Sequence, residues 1–166
     1  MKNSTKKKIV LTVCILPVSF LYCWYYSFTG QGLPGVETIS IPLFTDRTKE
    51  VQVREKLQNL MIGYFQDENI LRVVGINQAN AVLNGVIESI EDVPTALTKA
   101  EEAQQWELRV NVRIKFEEKK TGKVLVSESF TGVGFYKDPV SEREQAINDA
   151  LVQLIRDISN KIVSGW

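Results

Sequence analysis

Trp106-Glu107-Leu108-Arg109-Val110-Asn111-Val112-Arg113-Ile114-Lys115-Phe116-Glu117, then a polar connection around Lys119-Lys120-Thr121-Gly122-Lys123, then Val124-Leu125-Val126-Ser127-Glu128-Ser129-Phe130-Thr131-Gly132, is the stretch that decides the fold. Leu108, Val110, Val112, Ile114 and Phe116 alternate with charged or polar residues, and strict period-two alternation predicts a half-buried strand. Val124, Val126 and Phe130 resume the alternation after Gly122, which can supply the positive φ of a tight reversal. The pair reads as an antiparallel hairpin with one apolar face that something else must cover. Its opposite face carries Arg109, Arg113 and Lys115 in a row, either an ordinary solvated sheet face or a surface that meets a partner.

The chain has 166 residues, 44% of them hydrophobic, enough for one domain with its own core. Four of the 20 basic residues, Lys2, Lys6, Lys7 and Lys8, precede the first apolar run, and no acid occurs before Glu37. The remainder therefore sets 16 basic against 20 acidic residues, net −4. Phosphate contact needs clustered positive charge, so nucleic acid is a poor partner for this domain. There is no histidine, which removes the commonest general base and metal ligand. Cys14 and Cys23, the only cysteines, both lie in the N-terminal apolar run, so the domain has neither a disulfide framework nor a thiolate metal site. Carboxylates such as Glu101 and Glu102 can do acid/base chemistry, but they lie in a polar stretch with nothing apolar beside them in sequence to raise a pKa. The composition points to a binding or structural protein with no catalytic residues, no cofactor and no metal.

Residues 1–28 read as a signal peptide or membrane anchor, lysines followed by an apolar run from Ile9 to about Phe28. Trp24, Tyr25 and Tyr26 stand where an interfacial belt would end an uncleaved anchor. Cys23 stands where a lipoprotein carries its acylated cysteine, although Tyr22 is bulky where a small residue normally precedes it. Either way the domain is exported. Gly30-Gln31-Gly32-Leu33-Pro34-Gly35 falls in a linker over residues 29–35, and residues 36–166 form a single domain.

Along that domain, Glu37 to Leu43 alternates as a first strand. Val53, Leu57, Leu60, Met61, Tyr64 and Phe65 recur at helical spacing over Lys49 to Gln66, with Thr48 as N-cap. Ile70 to Val74 is a short strand, and Ala79 to Glu91 a longer one with Val82, Val86 and Ile90 on one side and Leu83 and Ile87 on the other. Apolar residues on both sides predict a central strand. Asp92 to Gln104, which contains Pro94, reads as a loop before the hairpin. Ser141-Glu142-Arg143-Glu144 matches a capping box, and Ile147, Ala150, Leu151, Leu154, Ile155, Ile158 and Ile162 form one helical stripe, closed by Gly165. The expected fold is α+β, two amphipathic helices packed on one face of a four- or five-stranded, mostly antiparallel sheet.

Several strings resemble the lipopolysaccharide-assembly lipoprotein family, LptE. They are Tyr26-Ser27-Phe28-Thr29-Gly30, Val36-Glu37-Thr38-Ile39-Ser40-Ile41-Pro42-Leu43-Phe44 with Thr45-Asp46-Arg47-Thr48, and Ala79-Asn80-Ala81-Val82-Leu83-Asn84-Gly85, followed by the hairpin and a closing helix. Asn80 departs from the aspartate common in relatives. The resemblance implies a non-enzymatic protein at the outer membrane, on its periplasmic side, held to the membrane through its N-terminus. It implies a plug in the β-barrel LptD that helps place lipopolysaccharide in the outer leaflet. Curli-secretion and penicillin-binding-protein-activator lipoproteins share the strand-helix opening and remain the alternative, with an inner-membrane anchor the alternative location. In the family, basic residues in two loops contact the anionic head group. Lys99 matches the first by spacing and Lys137 the second by position, and the antiparallel strand order brings both to one sheet edge. Arg109, Arg113 and Lys115 are the corresponding candidates for facing the partner.

Overall fold

The computed structural model describes residues 36–48, 50–97 and 103–164. In chain order they form β1 (Thr38–Ser40), β2 (Thr45–Asp46), α1 (Val51–Asp67), β3 (Arg72–Val73), β4 (Ala81–Leu97), β5 (Ala103–Glu118), β6 (Val124–Tyr136) and α2 (Arg143–Ser164). The two long helices are those that the periodicity predicts. Lys49, Gly165 and residues 1–35, including both cysteines, lie outside the described residues.

The hairpin is β5 and β6, paired antiparallel from Trp106↔Tyr136 to Glu117↔Val124. Leu108, Val110, Val112, Ile114 and Phe116 have no exposed surface, and each such burial contributes about 1.5–3 kcal/mol relative to exposure. Gly122 takes φ +69° at the turn. Past the register shift between Phe116 and Glu117, Val126 faces inward opposite Phe116, whereas Val124 stands opposite Glu117 and is largely exposed. The apolar face is closed by Val53, Leu57, Met61 and Phe65 of α1 and by the α2 stripe, all in one core.

The sheet is mixed rather than mostly antiparallel, with six strands in the order β3-β1-β4-β5-β6 and β2 also beside β4. β4, β5 and β6 pair antiparallel, but β1 runs parallel to both β3 and β4, and β2 runs parallel to β4. A parallel neighbour needs a crossover, and α1 supplies it between β1 and β3. Strands of two or three residues show no alternation of their own, which is why the sequence reading missed their direction. The strand expected from Glu37 to Leu43 is shorter, Thr38–Ser40, and a second short strand, Thr45–Asp46, forms beyond it. The chain leaves β4 after Ser40↔Val82 and rejoins it at Thr45↔Val86, and between them Phe44 turns inward over Gly85. A Cβ at Gly85 would meet the Phe44 ring at 2.4 Å, so this glycine makes room for an aromatic ring.

Both expected helix caps are replaced by other arrangements. Thr48 does not cap α1; Glu50 holds that position without a side-chain capping bond, while the Thr48 hydroxyl accepts from the Glu50 amide at 3.2 Å. The Ser141 hydroxyl donates to Asp138 at 2.7 Å instead of closing a box with Glu144. The Glu142 carboxylate instead accepts from the Lys137 and Asp138 amides at 2.8 and 3.3 Å.

The largest departure is in β4, which continues through the expected loop to Leu97 despite Pro94. Beyond Ile87, β5 is its only strand neighbour among the described residues, so the missing N–H of a proline is tolerated there. Between Ile87↔Val112 and Ser89↔Asn111 the register skips Glu88, a β-bulge. One extra residue reverses the side-chain alternation. Ile90 therefore falls on the same face as Leu83 and Ile87, contrary to the expected split, and so does Asp92, opposite Leu108.

Candidate functional site

Among the described residues nothing covers the sheet face opposite the helices, and the structure places Arg109, Arg113 and Lys115 on it together, as the alternation predicts. All three are exposed, but each carries its own acid. Arg109 meets Glu107 at 2.6 Å, Arg113 meets the bulge residue Glu88 at 2.9 Å, and Lys115 meets Glu117 at 2.5 Å. The Glu107 hydrogen bond also raises the Arg109 pKa above its ordinary value. Between them Asn111 donates to Ser89 at 2.9 Å and accepts from Thr131 at 2.6 Å, bridging all three long strands. The row is thus a self-neutralised polar ladder rather than a basic patch. Toward one end apolar residues join it, where Val93 and Phe135 flank Glu107 across the strands and Phe135 is 54% exposed.

That end of the sheet holds the second cluster. Pro94, Trp106 and Tyr136 stand side by side, with the Trp106 and Tyr136 rings stacked at 6.3 Å and 9°. Tyr136 is buried, and its hydroxyl donates to Asp92 at 3.0 Å. Arg143, the first residue of α2, donates to both Asp92 oxygens through Nε, at 3.3 and 3.2 Å, and through Nη2 at 3.0 Å, and it meets Glu50 before α1 at 3.0 Å. Burial first, and the hydrogen bond to Asp92 second, push the Tyr136 phenol up, while the Asp92 hydrogen bond chiefly raises Arg143. Asp138 lies below the ordinary carboxylate value because the Ser141 hydroxyl and the Val140 amide donate to it.

Lys137 follows directly, with an exposed side chain at the end of the sheet toward which β4 runs. Lys99, Glu101 and Glu102 lie outside the described residues, in sequence between Leu97 and Ala103, which pair across β4 and β5. Cys23 also lies outside them. Sequence reasoning missed Asp92, Tyr136 and Arg143 as a unit. A carboxylate within a strand pattern was the available signal, hidden by Pro94. Among the described residues no group of acids or sulfur ligands could hold a metal, and no helix is long and apolar enough to cross a membrane.

A match to the lipopolysaccharide-assembly family LptE spans residues 36–162. The chain belongs to that family. A comparison with curated proteins found no match. Solved structures share the fold at low identity. A Xanthomonas campestris protein has a TM-score of 0.61 at 10% identity, covering 82% of this chain and 90% of its own. Lipoprotein B of Nitrosomonas europaea reaches 0.58 at 15%, with 84% and 91% covered. PelC of Paraburkholderia phytofirmans, solved as a dodecamer, reaches 0.56 at 16%, with 81% and 92% covered. As an LptE-family chain, it belongs with proteins of lipopolysaccharide assembly.

Proposed function

We infer that this chain is a non-enzymatic assembly factor on the periplasmic side of the outer membrane, partnered with the β-barrel LptD and assisting lipopolysaccharide insertion into the outer leaflet. The family match over residues 36–162 carries the reading. The sheet's uncovered face supports it, because barrel interiors are polar and water-filled, and a ladder whose charges are already paired enters such a lumen without stranding an ion. Arg109, Arg113 and Lys115 are then the partner-facing residues.

Lys137 and, by its sequence position, Lys99 would meet the anionic head group as point charges. The N-terminal segment would hold the domain to the membrane, with Cys23 as the residue to acylate. Affinity purification of the full chain from outer membranes tests the partnership. Recovery of LptD in stoichiometric amount is expected. Recovery of only soluble periplasmic proteins would overturn it.

A further inference from the structure

We propose that Asp92 and Arg143 are positioning residues whose paired contact, closed through Tyr136 and Glu142, fixes the place of Lys137 at the head-group end of the sheet. The proposal rests on the reading that this end meets lipopolysaccharide. The contacts form a ring. Asp92 accepts from the Tyr136 hydroxyl and from Arg143; Glu142, the neighbour of Arg143 in sequence, accepts from the backbone of Lys137, the neighbour of Tyr136. The end of β6 is therefore held from both sides, by the strand in front of it and by the helix behind it. Glu50 extends the ring to the start of α1.

The ring depends on the bulge in β4. If the strand alternated regularly through Glu88, Asp92 would fall on the same face as Arg109 and could reach neither Tyr136 nor Arg143. A lysine side chain recognises phosphate as a point charge with little directional preference, so its selectivity depends on where its backbone is fixed. A forked guanidinium on a carboxylate is a stiffer anchor than an ammonium would be. Glu142 and Asp138, both acids, are occupied by backbone amides and the Ser141 hydroxyl.

The test uses the full chain with nitroxides carried on p-acetylphenylalanine at Thr95 and Val140, both exposed, which leaves the native cysteines untouched. Their distance distribution and the binding of purified lipopolysaccharide are measured for Asp92→Asn, Arg143→Gln, Arg143→Lys and a packing control, Ile158→Val in α2. A broadened distribution and several-fold weaker binding are expected for Asp92→Asn and Arg143→Gln. Arg143→Lys should fall between these and the parent, and the control should change neither reading while lowering the melting temperature. Variants that melt earlier yet keep a narrow distribution and full binding would overturn the proposal and leave the ring a stability element. A parent chain that binds no lipopolysaccharide would count against the head-group reading alone, since the distance distribution still decides whether the ring fixes this end.

Discussion

Gly134 of β6 lies directly beneath Ala146 of α2, so close that a Cβ built on it would stand 2.0 Å from the Ala146 carbonyl oxygen. Gly132 repeats the contact one turn on, 2.0 Å from the oxygen of Ala150. Two glycines on the inward side of the strand, facing two alanines on the helix, let backbone approach backbone where larger residues would hold the elements apart. Gly134→Ala must push the whole helix outward, because the obstructing atom is backbone and cannot rotate away. It is expected to destabilise the domain by about 3 kcal/mol, the upper end for overpacked cores, read as a lower midpoint in urea unfolding.

Ser159 is the counterpart on the same helix. It is 1% exposed within the apolar stripe, and its hydroxyl has no hydrogen-bond partner among the described residues. A buried, unsatisfied hydroxyl costs about 1–3 kcal/mol. Ser159→Ala should therefore raise stability by about 1 kcal/mol, read as a higher urea midpoint at unchanged slope.

Tyr136 makes the alkaline limb of the stability profile informative. Its folded pKa lies above its ordinary value of 10.0, through burial first and the bond to Asp92 second, so folding favours the protonated phenol. The resulting stability is fully present below the unfolded pKa and is lost as pH rises through the folded one. Tyr136→Phe should cost about 1 kcal/mol at neutral pH and flatten the loss of stability above pH ~10. Parallel thermal melts of both proteins from pH 8 upward make the comparison.

The hairpin and both helices were legible because each shows an unbroken period over many residues: the even positions from Leu108 to Phe116 are all buried, as are Leu57, Met61 and Phe65 on α1. What was not legible depends on single residues. The bulge at Glu88 has no signature in composition, yet for this sequence it decides which face Asp92 occupies and so whether the ring with Arg143 exists. Pro94 read as a loop because a proline in a central strand would remove a ladder bond, and only the early departure of β2 makes the position permissive. Ser141 and Glu144 fit a capping pattern, but Asp138 captures the serine and Glu142 turns back to β6. The basic row was legible as residues, with Glu107 and Glu117 beside it on β5, but the pairing of Arg113 was not, since its acid, Glu88, lies on β4.

Lysine contact with the head group predicts a separation of binding from folding. Replacing Lys99 and Lys137 together with glutamate should weaken lipopolysaccharide binding while leaving thermal unfolding unchanged, because solvent-exposed charges such as Lys137 contribute little to stability. Binding equal to the parent's in a titration with purified lipopolysaccharide would remove both lysines from the site.

Photocrosslinking in intact cells tests the central claim most directly, with p-benzoylphenylalanine placed at Val140, which is 94% exposed three residues beyond Lys137, and separately at Arg113 on the uncovered sheet face. The predicted result is a lipopolysaccharide adduct from Val140 and a β-barrel adduct from Arg113. Adducts from both positions only with soluble periplasmic proteins would contradict it.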